Sequence, residues 1–137
     1  MIKQNVTFTC CIDGSEETEQ RTVTLGYCYA TEIAYKKLSG ENITGIIQET
    51  IEAINAKPPR IPDTERSIYL VLSAAMAYYD SKDEDAPIKD TDLMREISPL
   101  ELGTALGTII TLWAQFYHIP AGEPAEKPAK GKGKAKN

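Results

Sequence analysis

The chain opens on a strict alternation: Val6, Phe8, Cys10 and Ile12 fall on one side, and Thr7, Thr9 and Cys11 on the other. A period of two marks a half-buried strand, because successive side chains point to opposite faces. Asp13-Gly14 is a turn signal, followed by the acidic stretch from Ser15 to Glu19. Arg21 to Leu25 then alternates again, with Val23 and Leu25 inward. The pattern predicts an antiparallel hairpin whose loop is either roughly two or roughly eight residues long.

From Tyr27 the period becomes helical. Tyr27, Ala30, Ala34 and Leu38, with Ile33 beside them, predict a first helix stopped by Ser39-Gly40. A second runs from Thr44 to Ala56, with Ile47, Ile51 and Ile54 in one stripe and Ile43 near its start. The segment from Lys57 to Pro62 contains three prolines that no helix crosses. Asp63 or Thr64 then caps a third helix reaching about Tyr79. Asp80 to Asp90 reads as an acidic loop broken by Pro87, and Thr91 to Ile97 as a short helix. In Ser98-Pro99-Leu100-Glu101 a serine cap precedes a first-turn proline, with a glutamate three positions after the serine, so a last helix starts here and ends near His118. The predicted class is α+β: an N-terminal antiparallel β-hairpin followed by four to five helices. One mostly helical domain covers 1–119, and a disordered tail rich in Lys, Gly, Pro and Ala covers 120–137.

Charge divides the chain the same way. The formal total is 15 − 20 = −5. Residues 120–137 hold five lysines against Glu123 and Glu126, which is +3, so residues 1–119 carry −8. Such a body repels phosphate backbones, and a tail of lysines without aromatics binds them only weakly and without sequence choice. No apolar run of signal-peptide length is readable at the start. Cys10, Cys11 and Cys28 show no framework spacing and read as reduced thiols of a cytoplasmic protein. Without a secretory route, Asn5-Val6-Thr7 and Asn42-Ile43-Thr44 are chance matches to the glycosylation motif.

Two helices lack formal charge, over Ser67–Tyr79 and Leu102–His118. A membrane span needs about 20 apolar residues. The second stretch is shorter and contains Thr104, Thr108, Thr111, Gln115 and two glycines, Gly103 and Gly107, that admit a close neighbour. Its stripe of Leu102, Leu106, Ile109, Trp113 and Phe116 is widened by Ile110, Leu112 and Tyr117 past half the circumference. A helix apolar nearly all round has to be covered nearly all round, so part of this surface is expected to meet another chain, a second copy or a client.

Catalytic and metal chemistry find little support. A calcium loop begun at Asp83 puts Pro87 at its fifth position, lacks glycine at the sixth and lacks a closing glutamate. Cys10, Cys11, Cys28 and His118 offer no C-x-x-C or histidine pair for zinc. His118, the only histidine, sits at a helix end, where it suits the negative terminus. Glu49 with Glu52, and Asp90 with Asp92, read as exposed faces or caps. The expectation is a non-enzyme without metal or cofactor.

YCYATEIAYKKLSG at Tyr27–Gly40, with Ile43, Ile46 and Ile47 after it, resembles the tail assembly chaperones of long-tailed, siphovirus-type phages and prophages. The resemblance continues through Ile68 to Met76, Tyr78-Tyr79, the acidic loop, Asp92-Leu93 and Trp113-Ala114-Gln115-Phe116-Tyr117, covering about residues 3–119. It implies a protein of the bacterial host cytoplasm, absent from the mature virion, that keeps the tape-measure protein soluble while tail-tube subunits assemble. Partner-binding residues are then expected at Ile110, Trp113, Phe116 and Tyr117, with Met76 and Tyr79 alongside. The resemblance also implies a longer product made by a −1 ribosomal frameshift; Lys130-Gly131-Lys132 and Lys132-Gly133-Lys134 permit the slippery heptamer, and the tail would then be a linker. The alternatives are a head–tail joining or tail-terminator protein, and a small nucleic-acid-associated regulator using the basic tail.

Overall fold

The computed structural model describes residues 1–12, 16–95 and 97–119. The Asp13-Gly14 turn signal and the tail lie outside the described residues. The class is the predicted one: among the described residues, an N-terminal two-stranded antiparallel hairpin is followed by five helices.

β1 (Ile2–Cys11) and β2 (Thr18–Tyr27) pair from Ile2↔Tyr27 to Cys11↔Thr18. The connection therefore spans 12–17, close to the longer alternative. Val6, Phe8 and Cys10 of β1 and Val23, Leu25 and Tyr27 of β2 form the buried face, as alternation requires. Two expectations are corrected here. Ile12 is exposed, because the ladder stops one residue before it. Tyr27 ends β2 instead of opening a helix.

α1 (Tyr29–Ser39) packs on α3 (Thr64–Ser81), which runs beside β2. α1 is rotated from the predicted phase: Ala30, Ile33 and Leu38 are exposed, Ala34 is half-buried, and Thr31 and Tyr35 face inward. Burial of a polar side chain is tolerated when its polar tip is satisfied. Thr31 Oγ1 donates to the Gly26 carbonyl at 2.9 Å and accepts the Cys28 N–H at 3.2 Å, and the Tyr35 hydroxyl donates to Glu41 at 2.5 Å. Gly40, at φ 82°, closes the helix by donating to the Lys36 carbonyl, a left-handed cap that a side chain would strain.

α2 (Ile43–Asn55) buries Ile43, Ile46, Ile47, Thr50 and Ala53. Ile51 is half-buried and Ile54 is exposed, so the Ile47–Ile51–Ile54 stripe holds only at its start. α3 is capped by Asp63, whose carboxylate accepts the Arg66 N–H, and continues past Tyr79 to Ser81. Its uncharged stretch is the centre of the core, with Ile68, Leu70 to Ala75 and Ala77 all buried. α4 is Asp90–Arg95, and α5 (Pro99–Phe116) lies across the hairpin with Leu102, Ala105, Leu106, Ile109 and Leu112 inward. Ser98 caps α5 by accepting the Glu101 N–H at 3.2 Å. The Glu101 carboxylate reaches across to β1, taking the N–H of Thr9 at 3.1 Å and its hydroxyl at 2.8 Å. Among the described residues, no helix is long and apolar enough to cross a membrane.

Candidate binding surface

The end of α5 meets the junction of β2 and α1 in a knot of aromatic rings. Tyr27 is fully buried, with its ring centroid 5.5 Å from Phe116 and 6.5 Å from Tyr117. Tyr29 stands edge-on to Phe116 at 5.1 Å, Phe116 edge-on to Tyr117 at 4.9 Å, and Trp113 lies 6.3 Å from Tyr117. Edge-to-face pairs at these separations are favourable beyond the area they bury. One carboxylate anchors the group: Glu32 accepts from the Tyr27 hydroxyl at 2.8 Å and from the Tyr117 hydroxyl. Burial and then Glu32 push Tyr27 well above the usual tyrosine range; Glu32 and then burial push Tyr117 up to about 12. Both phenols therefore stay protonated donors at neutral pH.

The last turn is fixed as well. His118 adopts φ 58°, the Ile119 N–H donates to the Ala114 carbonyl at 2.7 Å, and the His118 N–H to that of Gln115 at 3.2 Å. These two bonds are a Schellman closure with histidine where glycine is usual.

Outside the knot lies an apolar surface. Tyr29 is 65% exposed, Ile33 one turn along α1 is 56% exposed, and Tyr117 is 43% exposed, over half-buried Trp113 and Phe116. Lys36 and Lys37 continue the same face of α1 toward its end. The arrangement can hold an apolar segment by aromatic and aliphatic contact, with two cations at its border.

The sequence-derived partner residues separate into two neighbourhoods. Trp113, Phe116 and Tyr117 come together here, and half-buried Ile110 packs on the core one turn before Trp113. Tyr79 belongs elsewhere: its hydroxyl accepts the Thr24 N–H at 3.1 Å and its ring stands edge-on to Tyr78 at 4.9 Å. Met76 is half-buried one turn earlier on α3. Tyr29 and Ile33 were missed as surface residues because the apolar count set the phase of α1. The 31/35/39 spacing of Thr31, Tyr35 and Ser39, hydroxyls able to hand their bonds to nearby groups, was the available signal.

The charged groups act as clamps. Arg66 on α3 donates to Glu41 at 2.6 Å and Glu49 at 2.7 Å, tying α3 to α2 and to the turn before it. Arg21 bonds Glu19 at 2.7 Å and the Pro87 carbonyl at 3.3 Å, with Asp92 at 3.4 Å. Burial raises the Cys10 thiol and leaves it a poor nucleophile. Cys28 precedes α1, far in sequence from exposed His118 after α5. Among the described residues, no three His, Cys, Asp or Glu side chains converge as a metal site. No protein-family model, curated protein or solved structure matches the chain.

Proposed function

We propose that this protein is a tail assembly chaperone: it binds a tape-measure-type protein through an apolar surface, keeps it soluble while tail-tube subunits assemble, and performs no catalysis. It works in the host cytoplasm and leaves before the virion is complete. Two supports meet in this reading, the sequence resemblance and the exposed Tyr29–Ile33–Tyr117 surface. The surface is the observation that carries it. Leu100 and Met94 are more than half exposed too; what sets this surface apart is that Tyr29 and Ile33 sit one turn apart and Tyr29 stands against Phe116, the contiguity that a reversible apolar binder needs.

Coexpression with the tape-measure protein tests the reading. The client should partition to the soluble fraction with the wild-type chain and to the pellet with Tyr29→Ser/Ile33→Ser, whose changes are exposed and leave the core intact. Equal client solubility with and without the chain refutes the chaperone role. Retention of the chain in purified virions refutes it in favour of a joining or terminator protein.

A further inference from the structure

The hairpin has two edges, and they are treated differently. The Thr9 N–H is given to Glu101 and the Thr24 N–H to Tyr79, so both point away from the partner strand. In an antiparallel ladder, outward groups recur at every second residue. Those of β1 are therefore at Lys3, Asn5, Thr7, Thr9 and Cys11, and those of β2 at Thr18, Gln20, Thr22, Thr24 and Gly26. The end of β2 is occupied, since Tyr79 takes Thr24 and Thr31 Oγ1 donates to the Gly26 carbonyl. α5 meets the outward groups of β1 at Thr9, through Glu101. It starts beside that residue and ends against Tyr27 of β2, so it leaves the β1 edge as it proceeds. Lys3, Asn5 and Thr7 are exposed, and among the described residues nothing bonds their outward N–H and C=O groups.

We propose that this open edge, Lys3 to Thr7, is where a second copy of the chain pairs, antiparallel about a two-fold axis at Asn5, giving a four-stranded sheet β2–β1–β1–β2. Charge selects both the edge and the occupant. Residues 1–12 contain no Asp or Glu in a body of net charge −8, and the Glu101 carboxylate that reaches this edge is bonded to Thr9, outside the Lys3–Thr7 stretch, so two such bodies pair here with little carboxylate repulsion. The other open stretch, Thr18 to Thr22, follows Glu16 and Glu17, which repel a second acidic body, and its own two charges, Glu19 and Arg21, are already paired with each other. The pairing is also self-complementary. A two-fold axis at Asn5 sets Asn5 against its own copy and Lys3 against Thr7, keeps the two Lys3 ammonium groups apart, and forms about six main-chain bonds. It removes an edge that is otherwise a template for open-ended association. A ladder this short buries little surface, so the dimer is expected to be weak and concentration-dependent. The inference does not depend on the chaperone reading.

Sedimentation of the full chain over a range of concentrations, with amide exchange as the site-resolved readout, tests it. The wild type should shift from monomer to dimer, with the Lys3, Asn5 and Thr7 amides slowing as it does. Asn5→Pro removes one outward N–H and keeps the internal ladder, so it should stay monomeric with an unchanged circular dichroism spectrum. Thr7→Pro, equally outward, should do the same and guards against misfolding of a single variant. Gln20→Pro, on the other edge, should dimerise like the wild type. A wild type that is monomeric throughout overturns the proposal. So does a dimer that survives both β1 prolines or is lost only with Gln20→Pro, and so does edge protection that appears only when a client is added.

Discussion

Alkaline pH should weaken this fold through its buried tyrosines. Tyr27 and Tyr35 are both fully buried. Burial first, and then Glu32 and Glu41 respectively, raise their hydroxyls: Tyr35 is pushed up to about 12 and Tyr27 further. Unfolded tyrosine ionises at about 10. Above that pH the unfolded chain sheds protons that the folded chain retains, so stability falls as pH rises and is fully present below it. By about pH 11, ionisation favours the unfolded state by about 1.4 kcal/mol for each residue held protonated in the fold. Two such residues give a loss of about 3 kcal/mol relative to about pH 8. Cys10, raised mainly by burial, works in the same direction from its ordinary value of 9.0 upward. Tyr117 is raised too but is 43% exposed, so its share is smaller.

Urea unfolding followed by circular dichroism, under reducing conditions at pH values between these limits, measures the loss. Tyr27→Phe/Tyr35→Phe starts from a lower stability, having lost both hydrogen bonds, but its decline with pH should be much shallower. Tyrosinate absorbance adds a second check, since these two of the seven tyrosines should ionise only as the chain unfolds. Identical pH slopes for the two proteins would show that the buried phenols are not the titrating groups, and a flat wild-type profile would refute the reasoning outright.

Backbone and polar positions give further outcomes. Gly40→Ala should cost about 1 kcal/mol, roughly 4 °C in a thermal melt, because φ is 82° there; His118→Gly should gain about 0.5 kcal/mol for the converse reason. Ser67 is fully buried and its Oγ has no hydrogen-bond partner among the described residues. Ser67→Ala should therefore raise the urea midpoint by about 1 kcal/mol of stability, and a loss would contradict the assignment. Arg66→Met should cost about 1 kcal/mol and no more, since Glu41 and Glu49 are partly solvated. That cost should shrink in about 1 M salt, measured by the same melts.

Local pattern was informative where burial followed local chemistry. Val6, Phe8, Cys10, Val23 and Leu25 alternate because one face of a hairpin meets two helices. Ser98-Pro99 announces α5 because capping involves only neighbouring residues. Pattern failed where a distant group decided the outcome. Nothing near Glu101 says that its carboxylate closes the ladder at Thr9, and local apolar spacing cannot reveal that Glu41 satisfies Tyr35 and so lets a phenol replace Ile33 inside. The candidate surface was half legible for the same reason. The α5 aromatics stand out by composition, whereas Tyr29 and Ile33 become surface residues only once the phase of α1 is known. Tyr79 had the composition of an anchor, but its hydroxyl is committed to the edge of β2.

The two proposed surfaces have a joint consequence that separates them. Tyr27, at the centre of the aromatic knot, pairs with Ile2, so the knot lies at the end of the hairpin where the open β1 edge begins. A two-fold axis at Asn5, normal to the sheet, would then give one dimer two copies of the apolar surface, at opposite ends of the same face of the joined sheet. A long client with repeated apolar segments would engage both, and its second contact would form at high effective concentration without new chemistry. Asn5→Pro should then weaken binding of the long client by increasing its dissociation rate, while a short peptide filling one surface binds mutant and wild type equally. Tyr29→Ser/Ile33→Ser should weaken both ligands and leave dimerisation unchanged. Equal loss of the short peptide in Asn5→Pro would mean that the edge itself touches the client, and the division of labour between sheet edge and aromatic surface would be wrong.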